Sequence, residues 1–213
     1  MKVYVWKHSG NSYKLRVLLA LIGVEYEEVM VNFRTHEHKS ADYRKINPRG
    51  QVPAIVDGEL VLWDSAARLV YIARKFGGEQ WLPSAPAPMA EVMNWVSLAG
   101  NEMLYGLQYA RRGLTRGICS AGTVEQMQVN GRIALDVVEA RLATQDWLAL
   151  GHPTIADIAC FPYVETAPEG GHAAGALSAY HRLAGTLQSL AAMAGALADL
   201  SAPCPADLSI LAE

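Results

Sequence analysis

A proline that opens a short apolar run constrains this chain more than any other feature. The stretch Asn47-Pro48-Arg49-Gly50-Gln51-Val52-Pro53-Ala54-Ile55-Val56-Asp57-Gly58 sets Pro53 directly before Ala54-Ile55-Val56. Proline has no N–H for a sheet ladder, so Pro53 does not suit the middle of a central strand and belongs at a strand's first position. An X-Pro bond is also the one peptide bond whose cis form costs little. With Val52–Pro53 cis, the amide and carbonyl of Val52 can point away from the sheet and pair with an extended peptide. Asp57-Gly58 then turns the chain into Leu60-Val61-Leu62, an antiparallel hairpin. Shortly beyond it, Asp64-Ser65 bring a carboxylate, a hydroxyl and unpaired backbone N–H groups to one helix N-terminus. Together these groups can grip both ends of an amino-acid-like ligand, so a peptide-binding platform is expected.

The flanking elements follow from periodicity and turn chemistry. Val3 to Trp6 reads as a strand, and Ser9-Gly10-Asn11-Ser12 as turn and cap residues, with Ser12 the expected N-cap. Leu15, Leu18, Leu19 and Ile22 mark one face of a helix closed by Gly23. Val29, Val31 and Phe33 alternate as a second strand, which implies a right-handed parallel crossover. Thr35 to Ile46 is polar and holds a short helix. Leu69, Ile72, Ala73 and Phe76 stripe another helix that ends at Gly77-Gly78. This βαβαββα order, with a proline opening the third strand, is the thioredoxin-like α/β arrangement. Three prolines in six residues within Trp81 to Pro88 read as a linker. Beyond it the chain is helical and rich in Ala and Leu. Thr154-Ile155-Ala156-Asp157 is a capping box with Asp in place of Glu or Gln, a local folding signal rather than a catalytic pair. The expected division is a thioredoxin-like N-terminal domain over residues 1–78, a linker over 79–88 and an all-α C-terminal domain over 89–213.

Bulk properties narrow the partners. The 213 residues are 51% apolar and 18% charged with net charge −3, as in a soluble globular protein with no general pull toward nucleic acid or anionic lipid. Cys119, Cys160 and Cys204 form no CxxC or metal-type spacing, which fits reduced thiols and a cytoplasmic location. The apolar run at Val3 is too short for a signal peptide. Leu183 to Ala198 is free of charge but is interrupted by Thr186, Gln188, Ser189 and two glycines, so a soluble helix is expected and no membrane span. His152 and His172 have no partners at metal spacing, so no metal is expected.

Asn-Pro-x-Gly-Gln-Val-Pro at Asn47 to Pro53, the Asp64-Ser65 pair and the Thr-x-x-Asp box at Thr154 resemble, in this order and spacing, the cytosolic glutathione S-transferases. The opening Ser9-Gly10-Asn11-Ser12-Tyr13-Lys14-x-Arg16 is similar to a large group of bacterial members with a serine-type active site. The resemblance covers nearly the whole chain. It implies glutathione as co-substrate, an acceptor pocket built from the helical domain, and a homodimer. It also marks departures: Gly50 stands where many serine-type relatives have a histidine, and Ala66 where some have an arginine.

In thioredoxins the first turn carries CxxC; here Ser9 and Ser12 stand there, so dithiol exchange by the protein's own sulfurs is excluded. By the resemblance, Ser9 Oγ donates to the glutathione sulfur and favours the thiolate, with Asn11 a rival for the same contact. Ser9 also has a purely structural role open to it, as a helix cap. The Val52 backbone at Val52–Pro53 pairs with the cysteinyl unit, while Asp64 and Ser65 hold the γ-glutamyl end. Gln51 and His38 are candidates for the glycyl end or the peptide edge, with a solvated loop histidine the alternative for His38. Asn101 to Tyr109 reads first as helix core; as an acceptor pocket instead, Met103, Tyr105 and Tyr109 offer apolar and aromatic surface, and Arg111 and Arg112 either hold an anionic substituent or form a solvated helix face. The implied activity is attack of the glutathione thiolate on a hydrophobic electrophile. A glutathione-dependent isomerase and a non-catalytic stress or binding protein of the same fold are the alternatives.

Overall fold

The computed structural model describes residues 1–172, 181 and 183–187. Cys204, the tail from Ala202 and the expected helix beyond residue 187 lie outside the described residues. The chain folds as two compact units, one covering Met1–Phe76 and the other beginning at Gly77.

In the first unit, β1 (Lys2–Val5), β2 (Glu27–Met30), β3 (Ala54–Asp57) and β4 (Leu60–Leu62) form one sheet in the order β2-β1-β3-β4. β1 runs parallel to β2, with Tyr4 opposite Val29, and antiparallel to β3, with Val3 opposite Ile55. β3 and β4 are the expected hairpin, with Gly58 at φ 61° in its turn. The crossover helix α1 (Gly10–Ile22) buries Leu15, Val17, Leu18 and Leu19. It stops at Gly23 with φ 77°, where the Gly23 and Val24 N–H groups reach back to Ala20 and Leu19. Arg16 on α1 donates two bonds of 2.6 and 2.7 Å to the Glu28 carboxylate, a bidentate clamp between α1 and β2.

The second strand ends sooner than its alternation implies. Val31 N–H still bonds Val5, but Asn32 Oδ1 then accepts from Arg34 and Thr35 N–H groups while Glu37 accepts from Asn32 N–H. This side-chain turn takes Phe33 out of the sheet and stacks its ring on Trp6 and His38. A 3₁₀ turn (Glu37–Lys39) and the short helix α2 (Ala41–Ile46) follow. α3 (Ser65–Ile72) continues as a π-helical turn to Gly77.

The second unit opens with a difference from the sequence reading. α4 (Pro86–Leu98) begins inside the stretch read as a linker. Pro86 and Pro88 lie in its first turn, where backbone N–H groups have no helical partner to lose, so residues that cannot continue a helix can start one. α4 runs on through a π-helical stretch (Ala99–Gln108) into α5 (Tyr109–Arg116). The π stretch lies against α6 (Ala121–Leu142) so closely that a Cβ on Gly106 would stand 2.3 Å from the Gly131 nitrogen. α7 (Ile155–Glu165) starts at the capping box: Thr154 Oγ1 accepts from Ala156 N–H, and Asp157 accepts from Thr154 N–H and from Leu148 N–H, each at 2.9 Å. No helix among the described residues is long and apolar enough to cross a membrane.

Candidate functional site

Ser9, not Ser12, caps α1. Its Oγ accepts from Ser12 N–H at 3.2 Å, and its carbonyl accepts the first helical bond from Tyr13. Ser12 is fully buried one turn further in, where its hydroxyl accepts from Trp6 N–H at the end of β1. The sequence places both serines at the turn, but only the β1 backbone, which ends within reach of Ser12, decides which one caps. A hydroxyl has one proton and two lone pairs. Ser9 has used a lone pair on the helix, and its proton has no acceptor among the described residues. Asn11 sits in the first turn of the same helix. The helix adds a partial positive charge at this end, so the turn favours an anion.

The Val52–Pro53 bond is cis. Among the described residues, no protein group bonds to the N–H or the carbonyl of Val52. Its neighbours are engaged. Gln51 O accepts from Tyr43 Oη at 2.9 Å and from Asn47 Nδ2 at 2.5 Å, and Pro53 O accepts from Arg68. The Gln51 side chain is exposed. Tyr43, Asn47 and Arg68 are all buried, and none was assigned a role by the sequence. Asn47 could have been found from its motif, since Asn before Pro-x-Gly is turn chemistry. Arg68 gives no such signal, because an arginine in a helix ordinarily lies on the solvated face.

Asp64 caps α3, its Oδ1 accepting from Ala66 N–H at 2.9 Å and Ala67 N–H at 3.4 Å, with Arg49 at 3.7 Å from Oδ2. Ser65 follows at the first helical position with its hydroxyl and N–H uncommitted. His38 is buried in the 3₁₀ turn, its ring stacked 3.9 Å from that of Phe33, and its Nδ1 has no partner. Burial, with Lys39 and His36 adding positive charge, pushes its pKa down to about 4, so the ring is neutral at physiological pH. Gly50 has φ 58°, and a Cβ there would stand 2.7 Å from the His38 carbonyl. The departure noted at this position is therefore built into the loop: the backbone approach leaves no room for a side chain.

The helical unit treats its five candidates unequally. Met103 is fully buried, so it belongs to the core and not to an exposed pocket wall. Helical spacing could not separate the two, because a core stripe and a pocket stripe share one period. Tyr105 is exposed and Tyr109 half-buried, their rings edge-to-face at 5.2 Å. Arg111 is committed to Glu169 at 2.7 Å, tying α5 to the following 3₁₀ turn (Ala167–Gly170). Arg112 lies over the Tyr109 ring at 5.5 Å, its Nε buried without a partner. Among the described residues no three His, Cys, Asp or Glu side chains gather as a metal site.

Comparison with known proteins agrees in both units. The family described as "Glutathione S-transferase, N-terminal domain" matches residues 1–74, and "Glutathione S-transferase, C-terminal domain" matches residues 122–182. Glutathione S-transferase 3 of Zea mays is 35% identical over 164 residues, covering 74% of this chain and 73% of that protein. The crystal structure of a glutathione S-transferase from Pseudomonas fluorescens superposes with a TM-score of 0.80 at 30% identity, over 88% of this chain and 94% of that one. The structure of a maleyl pyruvate isomerase, a bacterial zeta-class member, superposes with a TM-score of 0.76 at 25% identity, over 92% of this chain and 96% of that one.

Proposed function

We propose, from the premise that this chain belongs to the glutathione S-transferase family, that it binds glutathione, holds its sulfur as a thiolate beside Ser9 and directs it at an electrophilic carbon. The unpaired Val52 N–H and carbonyl take the cysteinyl backbone. Asp64 Oδ2 faces the γ-glutamyl ammonium, and the Ser65 hydroxyl and N–H face its carboxylate. His38, through its unpartnered Nδ1, and Gln51 serve the glycyl end. Within the helical unit, Tyr105, Tyr109 and Arg112 form an aromatic and cationic face.

The Ser9 hydroxyl carries the proposal: it caps α1 with a lone pair, so its proton is free for the sulfur. Free cysteine ionises near pH 8.5, and lowering a thiol by about two units takes about 2.7 kcal/mol, within reach of one or two charge-assisted hydrogen bonds. With glutathione and an aryl halide at about pH 6.5, Ser9→Ala raises the thiol from about 6.5 toward about 8.5, the helix end keeping its own share of the shift. The thiolate fraction falls from about half toward about one per cent, so turnover falls by up to about fiftyfold. An unaffected Ser9→Ala with an inactive Asn11→Ala moves the role to Asn11.

The resemblance to the maleyl pyruvate isomerase supports a second reading, in which the thiolate adds to a cis double bond and leaves after rotation. Supplying a maleyl diketo acid in place of the aryl halide separates the two. A homodimer is also proposed. Val129, Ile133 and Val137 form an exposed apolar stripe at four-residue spacing on α6. Beside it lies a groove of about 550 Å³ lined by Trp95, Leu98 and Val137 and crossed by the Glu91–Arg141 ion pair. A second copy covers such a face, and Ile133→Asp should halve the sedimenting mass.

A further inference from the structure

Val52 is isolated on three sides. The register of β1 and β3, with Tyr4 opposite Ala54, would set Trp6 opposite Val52 if the ladder ran on. It does not, because Trp6 N–H donates to Ser12 Oγ and Trp6 O accepts from Ser9 N–H. The first turn of α1 has taken the groups that β1 would have offered. Along the chain, the Gln51 carbonyl is held by Tyr43 and Asn47, the Pro53 carbonyl by Arg68, and Pro53 has no N–H to give. Gly50 N–H is turned in to Asn47 O at 2.8 Å, and Arg49 N–H to Asn47 Oδ1 at 3.0 Å. The carbonyls of both neighbours and the amide of Gly50 are thus committed, while the two groups on Val52 stay open.

We propose that Tyr43, Asn47 and Arg68 are positioning residues that fix Val52 as a pairing edge one residue long, setting affinity for the peptide portion of the thiol substrate. The inference rests on glutathione being that substrate. Ordinary strand addition recruits alternate residues along an edge, and its affinity grows with length. Here the turned-in Gly50 amide stops the ladder on one side, and the pairing of Ala54 with β1 stops it on the other. The site therefore selects ligands in which a single α-linked residue has both backbone groups free and the flanking units are recognised by other means. A γ-glutamyl peptide has that form, and a longer extended peptide gains nothing from its further residues. Three buried donors on two carbonyls also make the loop rigid, so the two Val52 groups are presented without an ordering cost at binding.

Calorimetry with S-methylglutathione, whose blocked sulfur removes any thiolate contribution, tests this on the intact protein. Tyr43→Phe deletes one of two donors to Gln51 O and is expected to weaken binding about fivefold; Arg68→Met leaves Pro53 O without its donor and is expected to weaken it about twentyfold. Arg68→Lys should recover part of the loss. In turnover, KM for glutathione should rise in step, while the acceptor KM and the pH dependence of kcat stay as in the wild type, a split that general loosening of the fold would not give. Unaltered binding in both variants overturns the proposal, as does a parallel loss in glutathione and acceptor KM. Should Arg68→Met fail to fold, Tyr43→Phe decides alone. A wild-type protein that ignores S-methylglutathione at millimolar concentration instead overturns the glutathione reading itself.

Discussion

In the unit from Met1 to Phe76, buried polar side chains are spent on irregular backbone: Tyr43 and Asn47 on Gln51, Arg68 on Pro53, Ser12 on Trp6. In the unit that begins at Gly77, the Thr154–Asp157 box is spent on a helix start, and the tightest approach at a glycine is backbone against backbone at Gly106 and Gly131. An irregular loop whose backbone groups stay unpaired has no ladder of its own to hold it, so side chains do that work. A helix satisfies its own backbone and needs polar help only at its ends. The Val52 loop of the first unit is therefore sensitive to the loss of single donors, and the Gly106 contact of the second to the gain of a single methyl group.

The widest gap between the units should come from Gly106→Val. Its Cβ would fall on α6 backbone, which cannot yield as a side chain tip can. A loss of about 3 kcal/mol in urea unfolding is expected. A near-neutral result would show that the two helices separate freely and would end the claim of backbone-limited packing.

Next come two buried titratable groups, one in each unit, whose pH responses have opposite sign. Burial raises Asp157 to about 6 against the hydrogen bonds it accepts from Leu148, Thr154 and its own backbone. The folded state then binds more protons than the unfolded chain between about pH 6 and the ordinary aspartate value near 3.8. The contribution of Asp157 to stability is complete below the lower value and is lost as pH rises through the upper one, on the order of 3 kcal/mol in total. His38 does the reverse. Held down to about 4, it binds fewer protons folded than unfolded, so its contribution is present above about pH 6.5 and disappears as pH falls toward 4. Thermal melts across this range should steepen in one direction for Asp157→Asn and in the other for His38→Gln. Identical slopes in both variants and the wild type would remove the contrast.

The smallest effect sharpens the same comparison. Gly122 lies in the first turn of α6 with nothing within 4 Å of an added Cβ. Gly122→Ala should stabilise the protein by about 0.5 kcal/mol in the urea assay that condemns Gly106→Val.

Much of the first unit was legible in the sequence because its punctuation is local. Pro53, Asp57-Gly58, Asp64-Ser65 and Gly23 each act within a few residues, and the structure places a turn, cap or strand end at every one. What escaped depended on partners far along the chain. Arg68 bonds a carbonyl fifteen residues away, and the Ser12 hydroxyl rather than that of Ser9 takes the Trp6 N–H only because β1 ends there. In the second unit the Thr154 box was legible for the same local reason. Met103 was not, since one helical period serves both core and pocket, and Pro86 opened a helix because the rule against prolines within helices lapses in the first turn.

The touching backbones at Gly106 and Gly131 also bear on how a protein of this build can diversify. A side chain at Gly106 would meet the α6 backbone at once, and one at Gly131 would meet Leu107, His172 and then the Gly106 backbone, so drift is blocked most firmly at Gly106. Tyr105, Tyr109 and Arg112 stand on or just after the same π-helical stretch, in a frame that cannot shift beneath them. Those three residues could then be exchanged one at a time while the close helix contact behind them is inherited unchanged.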